Sequence, residues 1–115
     1  MPVLRVGDLR RAVAFYRDVL GFEERTAHTD EHGAESVILG WGPAELLLST
    51  GTHLGGTPAF TGTLYLRLRG VDDLYARVKD RVTLVWPLEE QDYGTREFGV
   101  RDPDGYTLAF AEEVA

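Results

Sequence analysis

The sequence predicts an α+β fold of two tandem βαβββ modules, and three observations predict it. Strand-like and helix-like segments follow one another in the same order in both halves of the chain. A shift of the sequence against itself by 62 residues sets Leu4 on Leu66, Arg5 on Arg67, Ala14 on Ala76, Asp18 on Asp80 and Leu46 on Leu108, in register with that order. Between the halves, "GTHLGGTPAFTG" (Gly51 to Gly62) has the Gly, Thr and Pro content of a connector. A single domain follows, with one module over about 1–50, a connector over 51–62 and a second module over about 63–115. The modules are expected to form a curved mixed sheet with helices on its outer face and a concave cleft left open.

Val3 to Val6 is a short β-prone run. Asp8 then caps a helix whose apolar positions Leu9, Ala12, Val13, Phe15, Tyr16, Val19 and Leu20 recur at helical spacing until Gly21 ends it. Three strands are expected next, about Glu23 to His28, Ser36 to Gly40 and Glu45 to Ser49, parted by the turn-forming "TDEHG" and "GWGPA". The second half repeats the order with a strand at Leu64 to Leu68, a helix from about Val71 to Arg81, and strands at Val82 to Trp86, Arg96 to Arg101 and Tyr106 to Ala111. The last two are joined by "DPDG", in which Asp102 can accept from the backbone ahead of it, Pro103 presets its φ and Gly105 takes the left-handed conformation.

Composition removes whole classes of function. At 115 residues, with 43% apolar and 27% charged residues, the chain supports one real core. Without cysteine it has neither a thiolate metal site nor a thiol nucleophile. Its net charge of −7 speaks against binding nucleic acid, which needs a basic surface. No apolar run reaches the ~18 residues of a membrane helix, and "MPVLRVGDLRR" lacks the apolar block of a secretion signal, so a cytoplasmic location without a membrane partner is expected. His28 and His32 flank "TDE" instead of sharing a helix face, and His53 stands alone in the connector, so surface roles suit all three.

Three segments resemble the vicinal oxygen chelate, or glyoxalase/bleomycin-resistance/dioxygenase, superfamily: "LRVGDLRRAVAFYRDVLGF" (Leu4 to Phe22), "VDDLYARVKD" (Val71 to Asp80) and "YGTREFGVRDPDGYTLAFAE" (Tyr93 to Glu112). Metal-dependent members of that superfamily place His, Gln or Glu at four cleft positions. The resemblance and the repeat put these positions at Met1, Leu47, Thr63 and Ala109. Such a set does not make an oxygen-and-nitrogen cage for a divalent cation, so no metal and no cofactor are expected.

Within the family the likeness is greatest to the bleomycin-resistance branch, which implies a metal-free protein that traps a small molecule, cationic or aromatic, in the cleft of a homodimer. Alternation along the strands nominates Glu45, Tyr65 and Glu97 as ligand contacts, the nearby aromatics Trp41 (at a turn), Phe60 (in the connector), Trp86 (at a strand end) and Tyr93 (ahead of the last strand pair) join them, and the resemblance adds Leu47 and Ala109. Arg5 and Arg67 fall on the same face, where they would pair with Glu45 and Glu97 or draw in an anion. No catalytic residue is nominated. A metal-dependent glyoxalase- or dioxygenase-type enzyme using other ligands, and a structural or regulatory dimer without a ligand, are the competing readings.

Overall fold

A computed structural model describes residues 1–31, 33–51 and 63–114. The chain divides into two units, Met1–Ala59 and Phe60–Ala115. The first contains β1 (Val3–Arg5), α1 (Leu9–Ala14) running on into a wider π-helical segment (Phe15–Leu20), β2 (Glu23–Thr29), β3 (Glu35–Trp41) and β4 (Ala44–Ser49). The second contains β5 (Thr63–Arg67), α2 (Val71–Val78), β6 (Thr83–Glu90), β7 (Thr95–Arg101) and β8 (Thr107–Glu113). Each unit has one four-stranded sheet, ordered β1-β4-β3-β2 and β5-β8-β7-β6. In both, the first strand runs parallel to the last and the other neighbours are antiparallel.

The duplication read in the sequence is written into the pairing. Val3 lies opposite Leu47 and Tyr65 opposite Ala109; Arg5 lies opposite Ser49 and Arg67 opposite Ala111. Both partners in each pair move by the same 62 residues, so the two parallel ladders are in identical register.

Local chemistry explains the elements. The Asp8 carboxylate accepts from the Arg11 N–H at 3.1 Å, and Gly21, at φ 96°, closes the helical run. At the start of α2 the cap residue is Gly70, which offers no side chain; Glu112 of β8 supplies the acceptor, taking the Val71 N–H at 3.1 Å. That carboxylate also suits the positive end of the helix. Arg96 of β7 reaches back to Asp72 at 2.7 Å on the same side. In the hairpin between β7 and β8, Asp102 Oδ1 accepts the N–H groups of Asp104 and Tyr106 at 2.9 and 2.8 Å, and Gly105 takes φ 91°.

Each helix covers one face of its own sheet, α1 over β4 and β3 and α2 over β7 and β8. Beneath α1 lie Leu4, Val37, Leu39, Leu46 and Leu48 of the sheet, with Val6 buried just past β1. Beneath α2 lie Leu66, Phe98, Val100, Leu108 and Phe110, with Tyr75 of α2 meeting Phe98 edge-on at 5.1 Å and Phe98 meeting Phe110 at 5.4 Å.

Two elements differ most from expectation in where they end. Helix α2 ends at Val78, after which the chain turns with Arg81 N–H bonded to the Val78 carbonyl, instead of running to Arg81. Strand β6 continues past Trp86 through Pro87 to Glu90. Because β6 is the outer strand, a residue without an N–H is tolerated there, and the pairing register shifts between Trp86 and Glu89 to accommodate it. Among the described residues, no helix is long and apolar enough to cross a membrane.

Candidate functional site

Successive side chains of a strand point to opposite faces. In the second unit Leu66, Phe98, Val100, Leu108 and Phe110 turn toward α2, which leaves Thr63, Tyr65, Arg67, Thr95, Glu97, Gly99, Thr107, Ala109 and Ala111 on the other face. Across that face one row reads Tyr65, Ala109, Gly99, Trp86. Two small residues sit between two aromatic ones. A Cβ at Gly99 would stand 2.7 Å from three carbons of the Trp86 indole, so the ring lies directly against the glycine backbone.

The adjacent row reads Arg67, Ala111, Glu97, Glu89. Glu97 is only 1% exposed. Its Oε1 accepts from the Tyr93 hydroxyl at 2.6 Å and from the Thr95 hydroxyl at 2.8 Å. Hydrogen bonding to Glu97 first, then to Tyr65, raises the Tyr93 phenol well above its ordinary pKa, so that it remains a proton donor. A hollow of about 300 Å³ is lined by Tyr65, Trp86, Glu89, Gln91, Tyr93 and Glu97. A neighbouring hollow of about 520 Å³ shares Tyr65 and Tyr93 and extends along Arg67, Thr95, Ala111 and Glu113.

Four of the residues nominated from sequence, Tyr65, Trp86, Tyr93 and Glu97, thus surround one hollow. Ala109 belongs to the same face but is fully buried. In the first unit Leu47 and Glu45 share the face turned away from α1, and Glu45 is engaged by Arg25 at 3.2 Å, whose guanidinium lies over Gly40. Trp41 lies on the other side of that sheet, meeting Phe22 edge-on at 5.1 Å. Met1 is 63% exposed ahead of β1, and Thr63 opens β5 opposite Thr107. Phe60, His32 and His53 lie outside the described residues.

Among the described residues Arg5 and Arg67 do not pair with Glu45 and Glu97, one of the two outcomes expected of them. Arg67 pairs with Glu113, and Arg5 donates to the Val6 carbonyl at 2.8 Å. Glu45 and Glu97 take neither of them. Glu112, which a one-residue slip of β8 would have brought to the open face, is held at the start of α2. Among the described residues no three His, Cys, Asp or Glu side chains gather in a way that could hold a metal ion.

Sequence reasoning did not find Gly99, Glu89 or Gln91. The signal for Gly99 was a glycine inside a strand, which marks a place where something approaches the backbone closely. Glu89 and Gln91 were hidden by ending β6 at Trp86.

This fold and face define a member of the glyoxalase/bleomycin resistance protein/dioxygenase superfamily: the family model matches residues 1–110, and the chain belongs to that family. Its relatives by sequence include two kinds. A bleomycin resistance protein of Geobacillus stearothermophilus is 27% identical over 128 residues, covering 99% of this chain and 96% of the relative. A lactoylglutathione lyase of Haemophilus influenzae is 35% identical over 123 residues, covering 96% of this chain and 88% of the relative. Among solved structures, a superfamily member from Sphaerobacter thermophilus superposes with a TM-score of 0.79 at 27% identity, over 96% of this chain and 93% of that one.

Proposed function

We propose that the protein binds and holds a small molecule with a flat aromatic part, without a metal, in the manner of the bleomycin-resistance branch of its family. The observation that carries this reading is the row Tyr65, Ala109, Gly99, Trp86 on the open face of the second sheet. Two aromatic side chains around small residues suit a planar ligand, which gains from stacking and from the loss of wetted apolar surface. The net charge of −7 favours a cationic or neutral ligand over an anion. A homodimer belongs to the proposal, since the outer strands β1, β2 and β5 have edges that a second chain can cover.

The lactoylglutathione lyase relative favours a second reading, a metal-dependent enzyme. The donor set argues against it. At the positions that the resemblance assigns to the family's metal, Leu47 and Ala109 carry hydrocarbon only, and Met1 and Thr63 add a thioether and a hydroxyl, which do not fit Mg, Mn, Fe or Zn.

The test is a titration of the untagged protein with bleomycin and with planar aromatic cations, followed by calorimetry and by tryptophan fluorescence, together with metal analysis of the same preparation. Heat and quenching with substoichiometric divalent metal are expected. One tightly held divalent ion per chain would support the enzyme reading instead.

A further inference from the structure

Glu97 is a buried carboxylate without a counter-charge. It is 1% exposed, and no basic side chain among the described residues forms an ion pair with it. The arginine in its own row, Arg67, is occupied by Glu113. Both of its hydrogen bonds, from Tyr93 and Thr95, fall on Oε1. Its other oxygen, Oε2, accepts from no described residue. A carboxylate taken out of water is costly unless a positive charge joins it.

A second feature points the same way. Glu89 of β6 stands directly opposite Glu97 in the pairing register, and both line the 300 Å³ hollow. Like charges facing each other across two strands repel. Neither acid has a described basic partner, so the repulsion goes unrelieved within the described residues. The remaining walls are Tyr65, Trp86 and Tyr93, whose ring faces attract cations, and Gln91, which adds a neutral polar group.

We propose that this hollow is a subsite for a protonated amine, a primary or secondary alkylammonium attached to the aromatic part of the ligand, with Glu97 Oε2 accepting its N–H. The inference rests on the reading of the face as an aromatic-binding site and specifies the ligand class. An N–H is required because the free oxygen is an acceptor; a quaternary ammonium satisfies the charge and the ring faces but leaves that oxygen without a donor. The hydroxyl of Tyr93 cannot fill this role, since it is already committed to Oε1 and is held protonated there.

The bland reading is that Glu97 only ties the turn carrying Tyr93 to β7. Matched probes separate the two: 1-naphthylmethylamine, its trimethylammonium analogue and the neutral 1-naphthylmethanol, each titrated calorimetrically into the full-length protein and into Glu97→Gln and Glu89→Gln. In the unmodified protein the amine is expected to bind at least ~10-fold more tightly than the alcohol, and more tightly than the quaternary analogue. Glu97→Gln is expected to cost the amine ~30-fold or more while leaving the alcohol within about threefold. Glu89→Gln, at an exposed position, is expected to weaken the amine by a few-fold.

Equal binding of amine and alcohol to the unmodified protein overturns the amine subsite and leaves the aromatic site standing. A quaternary analogue that binds as well as the amine overturns the N–H contact. Failure of all three probes overturns the aromatic site and the subsite together. The comparison within the unmodified protein needs no variant, so a Glu97→Gln chain that does not fold leaves the test intact.

Discussion

Two glycines do similar work in the two sheets. At Gly99 a Cβ would meet the Trp86 indole at 2.7 Å, and at Gly40 it would meet the Arg25 guanidinium at 2.0 Å. Each glycine lets a long side chain from the outer strand lie flat across its neighbour, and in each case the absent Cβ, not a special φ, is what matters. Gly99→Ala is expected to lift the indole from the strand. Stability should fall by about 1–3 kcal/mol, as for an overpacked site, and aromatic probes should bind less tightly. Denaturant unfolding and probe titration check the two effects. At this scale the sequence was partly legible. Alternation placed Tyr65 and Glu97 on one face, but it did not reveal that Tyr93 folds back onto Glu97, because that contact depends on the turn at Gly94 (φ 92°) and not on strand period.

Among elements, the hairpin of β7 and β8 is the best determined. Asp102 is 4% exposed, and its Oδ1 satisfies two backbone N–H groups that lie inside the turn. Asp102→Ala leaves both donors without that acceptor and is expected to cost about 2–4 kcal/mol, measured by denaturant unfolding; Asp102→Asn, which keeps an acceptor, should cost less. This turn was legible because every residue in "DPDG" has a conformational reason to be there. The extension of β6 was not legible, since proline argues against a strand unless the strand lies at an edge, and edge position is a property of the sheet. The widening of the first helix at Phe15–Leu20 has no counterpart in the apolar spacing, which a regular α-helix satisfies equally well. Phe60 fell in the connector, where composition identifies a link but offers no periodicity from which to orient a side chain.

For the whole molecule, duplication was the readable feature, because a 62-residue shift preserves core positions on strands and helices alike. Divergence between the copies is what separates site from scaffold. The first unit's counterpart of the row Tyr65, Ala109, Gly99, Trp86 is Val3, Leu47, Ile38, Thr26, and Ser36 stands where the second unit has Glu97. Large aliphatic side chains replace the small centre, and the buried acid is missing. Calorimetric saturation is therefore expected at one equivalent of naphthylmethylamine per chain; two equivalent sites per chain would mean that the first unit binds as well. The outermost strand of the second sheet carries a quieter consequence. Pro87 interrupts its row of amides and the register shift bends its line, so this rim cannot template an unbroken ladder with another molecule. Copies of the chain are thereby kept from polymerising along that border.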